Sequence, residues 1–170
     1  MIFFFCRPLN GKRKVSFLCA LCVFAVKIEN EISGWTIDIM EEINERVYNF
    51  PVQIYYEDTD HSGVVYHANY LKYFERAREN VIGVEELSRL WYEEGLGFAV
   101  YRAEMGFYEG AQFGETLDIR TTWEKDGKFK IIWTQEAWRP GGKKAAVSAK
   151  IELVCIDKHK KLKPIPEIDM

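Results

Sequence analysis

The amino-acid sequence predicts an α+β fold, an antiparallel sheet of about five strands wrapped around one long central helix. Three observations carry that expectation. One long segment, Ala68–Val84, repeats its apolar residues at helical spacing, while several later segments alternate apolar with polar residues. The elements also follow in the order β-α-β-β-β-β, with few of the strand-helix-strand units that build a parallel sheet.

The first strand is "VYNFPVQIYYED", where Phe50, Val52, Ile54 and Tyr56 share a face. Pro51 has no N–H to give a ladder, so this strand must begin late or lie at a sheet edge. A polar loop follows, and then the helix, with Tyr70, Tyr73, Phe74, Ala77 and Val81 on its apolar stripe and Gly83 as its stop. "VEELSRLWYEEG" reads as a shorter helix ended by Gly95. "FAVYRAEMGF" is the next strand, followed by a connection through Gly110 and Gly114. "TLDIRTTWE" sets Leu117, Ile119, Thr121 and Trp123 on one face, and Asp126-Gly127 marks a hairpin into "FKIIWTQEAW". After the turn "RPGGKK", the final strand carries Ala145, Val147, Ala149, Ile151, Leu153 and Cys155 on a continuous apolar face.

A net charge of −3 leaves no basic footprint for nucleic acid, which excludes that class of partner. Cys6, Cys19, Cys22 and Cys155 are scattered rather than spaced as a disulfide framework, so a reducing compartment fits. Residues 1–39 differ from the rest. Arg7, Lys12, Arg13 and Lys14 precede the apolar run Val15 to Val26, which resembles a signal peptide but is shorter than the roughly 20 residues of a membrane span. The expectation is that 1–39 is an extension outside the folded domain, read as sequence upstream of the true start at Met40, with a membrane-surface anchor as the minority reading. Residues 40–170 are then the domain.

The loop "DTDHSGVVYHANY" concentrates the polar chemistry. Asp58, Asp60, Ser62 and Gly63 match the opening of a calcium loop, but position 12 is Asn69 instead of a bidentate Glu, and a strand precedes where a helix is required. Asp58, Asp60, His61 and His67 could ligate a transition metal, although their spacing fixes no geometry. The plainest alternative is a strand-to-helix loop whose acids complement the helix dipole. The third reading is catalytic. Free N–H groups at a helix start can hold the oxyanion formed when a carbonyl is attacked, and an ionised Asp across the Gly63 turn can attack it or deprotonate water. A thioester suits so weak a base, because its thiolate leaves without a strong acid.

The run "YYEDTDHSGVVYHANYLKYFERAR" resembles the signature of hotdog-fold acyl-CoA thioesterases, in the YbgC-like branch of the 4-hydroxybenzoyl-CoA thioesterase family. The likeness extends over about Val47 to Pro166, and "KPIPEI" is similar to the branch's ending. It implies a cytoplasmic thioester hydrolase that needs no metal or organic cofactor and works as a homodimer or homotetramer with sites at the subunit interface. Asp60 matches the catalytic carboxylate, with Tyr56 and His67 also in the site and the His67 amide as oxyanion donor. Gly63, Val64, Asn69 and Tyr70 match positions around the substrate. CoA phosphates call for cations, for which Lys125 and Lys128 are the candidates. Another branch of the fold uses a helix glutamate; Glu75 is its counterpart here, and reads more simply as a structural acid. The alternative function is a non-catalytic module that binds acyl groups or acyl carrier protein as an envelope or lipid-synthesis scaffold.

Overall fold

The computed structural model describes residues 46–168, which fall within one compact unit, residues 43–170. The expected extension at 1–39 and its cysteines lie outside the described residues. Strand β1 (Tyr48–Gln53) is followed by a 3-10 turn at Tyr56–Asp58, the motif loop, and helix α1 (Asn69–Ile82). Helix α2 (Val84–Arg89) runs into a π turn at Leu90–Glu94, and Gly95 ends it in the left-handed conformation. Strands β2 (Leu96–Phe107), β3 (Thr116–Asp126), β4 (Lys130–Trp138) and β5 (Val147–Asp157) complete the sheet, with a two-residue β6 (Leu162–Lys163) on β5.

The sheet order is β1-β3-β4-β5-β2, antiparallel throughout. This is the antiparallel sheet on one long helix that the order of elements predicts, and the hotdog arrangement that the family resemblance implies, with the short β6 as an addition. Pro51 sits on the edge strand, as its missing donor requires. The alternating residues Leu117, Ile119, Ile131, Trp133, Ile151 and Leu153 pack against Tyr70, Tyr73, Phe74 and Ala77 of α1 in one core. Gly83 closes α1 at φ 93°, a conformation that favours a residue without a side chain.

One expectation needs correcting. Tyr56 does not extend the apolar face of the first strand: the ladder stops at Gln53, and Tyr56 is 82% exposed on the 3-10 turn. The Asp58 carboxylate accepts the Tyr55 amide at 2.9 Å, and this local bond turns the chain out of the sheet before position 56.

The helix also buries a charge. Arg78 is 3% exposed, donates to Gln135 Oε1 at 2.6 Å and pairs with Glu75 on the preceding turn. Gln135, equally buried, returns its Nε2 to the Phe74 carbonyl and Thr121 Oγ1. Among the described residues no helix is long and apolar enough to cross a membrane.

Candidate active site

The motif loop is a miniature antiparallel ladder. The Tyr66 amide donates to the Asp58 carbonyl, Thr59 bridges to Val65, and the Asp60 amide donates to the Val64 carbonyl. Its tip is the turn Asp60–Gly63, closed by the Gly63 amide on the Asp60 carbonyl at 3.0 Å. Gly63 stands at φ 80°, so the sharp turn assigned to it is real. Two rungs and one residue separate Asp60 from His67 along the loop.

Asp60 is held at the tip by one oxygen. Oδ1 accepts the Ser62 hydroxyl at 2.5 Å and the Ser62 amide at 2.8 Å, no direct bond within 3.5 Å reaches Oδ2 among the described residues, and the Val64 amide and His61 lie near enough to favour the anion. The Ser62 hydroxyl, and then its amide, hold the Asp60 carboxyl below the ordinary aspartate value. The group is therefore an anion at neutral pH, with one oxygen free to act.

The other end of the ladder becomes the start of α1. Asn69 is buried; its side chain donates to the Asp58 carbonyl at 3.0 Å and its amide to the Tyr66 carbonyl at 2.8 Å. Those bonds fix the approach to the helix and leave His67 and Ala68 at the turn before it. His67 is exposed, stacked on Tyr66 at 4.3 Å between ring centroids and edge-on to Phe107 at 6.4 Å. Tyr70 is buried beneath, its ring 6.0 Å from that of Phe107. Burial raises its phenol pKa, and the same effect, reinforced by the nearby Asp58 carboxylate, raises that of Tyr73. Tyr56 meets the edge of Phe113 at 6.4 Å, so aromatics border the loop from both sides.

A second segment backs the loop. The Val65 amide donates to the Ala111 carbonyl at 2.9 Å, and Val64 bridges to Gln112. Phe107, Phe113, Glu109 and Glu115 were not among the residues that sequence reasoning singled out, and Ser62 was named only as a position of a calcium loop. Ser62 carried a signal, since a serine two residues after an aspartate is a common turn partner.

The structure does not bring Lys125 and Lys128 to this loop within one chain. They flank the far end of β3, ten residues from Thr116 and so roughly 33 Å away along the strand. Lys143 and Lys144 lie instead at the near end, in a turn whose Ala146 carbonyl accepts the Tyr108 and Glu109 amides. Glu75 is engaged by Arg78, which fits its structural reading. No cluster of three acid, histidine or cysteine side chains suited to a metal occurs among the described residues. A surface depression of about 440 Å³ lies elsewhere, on the outward sheet face beside Asn49, Arg120, Thr134 and Glu136.

Comparison with known proteins places this loop in context. The family model described as the thioesterase-like superfamily matches residues 55–168. The acyl-CoA thioester hydrolase YbgC of Escherichia coli O6:H1 is 31% identical over 123 residues, 72% of this chain and 90% of its own. The acyl-CoA thioesterase YbgC of Haemophilus influenzae is 32% identical over 120 residues, 69% and 86% of the two chains. A probable thioesterase from Bartonella henselae superposes with a TM-score of 0.64 at 31% identity, covering 71% of this chain and all of that one.

Proposed function

Because the chain belongs to the thioesterase-like superfamily, we propose that it hydrolyses acyl-CoA thioesters to free acid and CoA, with Asp60 as the reacting carboxylate. One observation carries the assignment of the residue. Asp60 is an anion with a free Oδ2, at the tip of a ladder whose other end opens α1. A thioester carbonyl standing between the two ends meets the carboxylate on one side and the His67 amide on the other.

The reaction follows from that placement. Asp60 either attacks the carbonyl carbon or takes a proton from a water that does. The oxygen becomes an oxyanion, stabilised by N–H groups at the helix start where the dipole is positive. Collapse expels the CoA thiolate, which is stable enough to leave unassisted and takes a proton from solvent. In the nucleophilic route, water then cleaves the acyl-aspartyl anhydride. The His67 side chain, Tyr56 and Phe113 border the acyl group. Gly63 and Val64 shape the rim, and Asn69 and Tyr70 support the helix start from beneath.

The reading extends to assembly and place. The outer edge of β2 has no paired strand among the described residues and exposes Val100 and, at a bulge, Tyr101 at 71%. A homodimer or homotetramer joined there sets a second subunit beside the site. CoA phosphates then fall among Lys143 and Lys144 of the same chain, or Lys125 and Lys128 brought from another. CoA thioesters as substrates point to the cytoplasm.

The test is a panel of acyl-CoA substrates with free-thiol detection, run on the full chain and on Asp60→Asn. Turnover in the first and its near-abolition in the second are expected. Undiminished turnover in the variant overturns the assignment of Asp60. An inert wild type that still binds acyl-CoA or acyl carrier protein identifies the scaffold alternative.

A further inference from the structure

The motif loop is braced by a second segment as well as by its own ladder. Its tip is tied by Ser62 and Val64, but its base leans on the 109–115 segment through the Val65 amide and the Val64–Gln112 bridge. The Val64 side chain packs so closely on the Gly110 backbone that a Cβ on Gly110 would stand 2.7 Å from Val64 Cγ1. Whatever fixes 109–115 therefore fixes the spacing of the loop.

Main-chain bonds to Ile54 and Ala146 hold the ends of that segment, and one side chain links the two ends. Arg139, the residue after β4, donates Nε to Glu115 Oε2 at 2.9 Å and Nη2 to Glu115 Oε1 at 2.5 Å, a two-pronged pair. Its Nη1 reaches Glu109 Oε1 at 2.5 Å, so one guanidinium spans both ends of the segment. Glu115 Oε2 in turn accepts the Gln112 amide at 3.0 Å, and the Glu115 carbonyl accepts the Ile54 amide at 2.9 Å. β1, the segment and β4 meet at this group.

We propose that Arg139 is a positioning residue for thioester hydrolysis: through Glu115 and Glu109 it sets the 109–115 segment, and through Ala111 and Gln112 the distance between Asp60 and the start of α1. The proposal rests on the catalytic reading of Asp60. A lysine cannot reproduce the grip, since it lacks the planar fork that holds two carboxylates at once. Such partly exposed ion pairs add little to global stability, so their loss should register in turnover before it registers in melting.

The experiment uses the full chain and the variants Arg139→Met, Glu115→Gln, their double, Arg139→Lys and Asp60→Asn. Arg139→Met is expected to lower kcat between about tenfold and a hundredfold, the scale of a misplacement remote from the chemistry, with KM within twofold. The double variant should fall no further than the worse single, because both remove one interaction, and Arg139→Lys should regain part of the loss. Amide exchange at Val65 should quicken in Arg139→Met while the melting temperature moves by only a few degrees. Wild-type kcat and unchanged Val65 protection in Arg139→Met, with Asp60→Asn inactive, overturn the proposal and leave the site intact. A kcat loss that merely tracks the folded fraction also overturns it. Undiminished turnover in Asp60→Asn, with Val65 exchange still quickened in Arg139→Met, instead removes the catalytic reading on which the clamp's consequence depends.

Discussion

The chain contains two polar clusters built from similar groups and placed oppositely. At the loop tip Asp60 is solvent-accessible, tied by one oxygen to Ser62, and its other oxygen is uncommitted. In the core, Arg78, Gln135 and Thr121 are buried and bonded to one another and to the helix backbone. A polar group engaged away from water can specify how α1 seats on the sheet, but it is out of a substrate's reach. A group with a free lone pair near solvent can react, and adds little to the fold. Two glutamates fall on the committed side of that contrast: Glu75 pairs with Arg78, and Glu115 with Arg139.

Exchanging the roles by mutation sharpens that contrast. The largest effect belongs to Asp60→Asn, which should lower kcat by about a thousandfold or more while calorimetry finds the melting temperature nearly unchanged, because Asn keeps the acceptor that closes the turn. Arg78→Met should do the reverse. It strands Gln135 Oε1 in the core, so denaturant unfolding should show a loss of about 1–3 kcal/mol, with kcat per folded molecule preserved. Equal losses of turnover in the two variants would break the division.

Smaller effects follow for groups around the tip. Asp60 is depressed, so the active carboxylate is present above its lowered pKa and is lost as pH falls through it. The acid limb of kcat/KM should therefore lie below the ordinary aspartate range. Ser62→Ala removes the largest cause of that depression and should move the limb upward, back toward the ordinary aspartate range. Lys143→Glu with Lys144→Glu should raise KM a few-fold at low salt, an effect that fades as salt is added. The same change at Lys125 and Lys128 discriminates the two phosphate positions, and does so only in the assembled oligomer.

Much of this was legible in the sequence because period and burial agree wherever side chains are apolar. Leu117, Ile119 and Thr121 alternate inward as written, and the Tyr70, Phe74 and Ala77 stripe faces the sheet. The reading failed where the inward residue was polar. Arg78 continues the row Tyr70, Phe74, Arg78, Ile82 at intervals of four, and Gln135 continues the inward face of Ile131, Trp133 and Ala137. Both positions were marked by spacing but masked by hydropathy, and each is explained by the other.

The motif loop was legible as a polar turn that leads from a strand into a helix start. Which strand end it occupies was not, and for that reason Lys125 and Lys128 were named ahead of Lys143 and Lys144. Only the register Asp118↔Trp138 tells that the "RPGGKK" turn and the loop share an end. The Arg139–Glu115 grip depends on the same register.

Pro51 gives the sheet a one-way margin. On β1 it leaves a missing donor where another strand would have to attach, whereas the margin of β2 carries no proline. If two chains meet through β2, each outer flank of the joined sheet ends in a proline-bearing strand. Growth by strand addition then terminates at a closed pair, and the protein is protected from polymerising along the very direction in which it assembles.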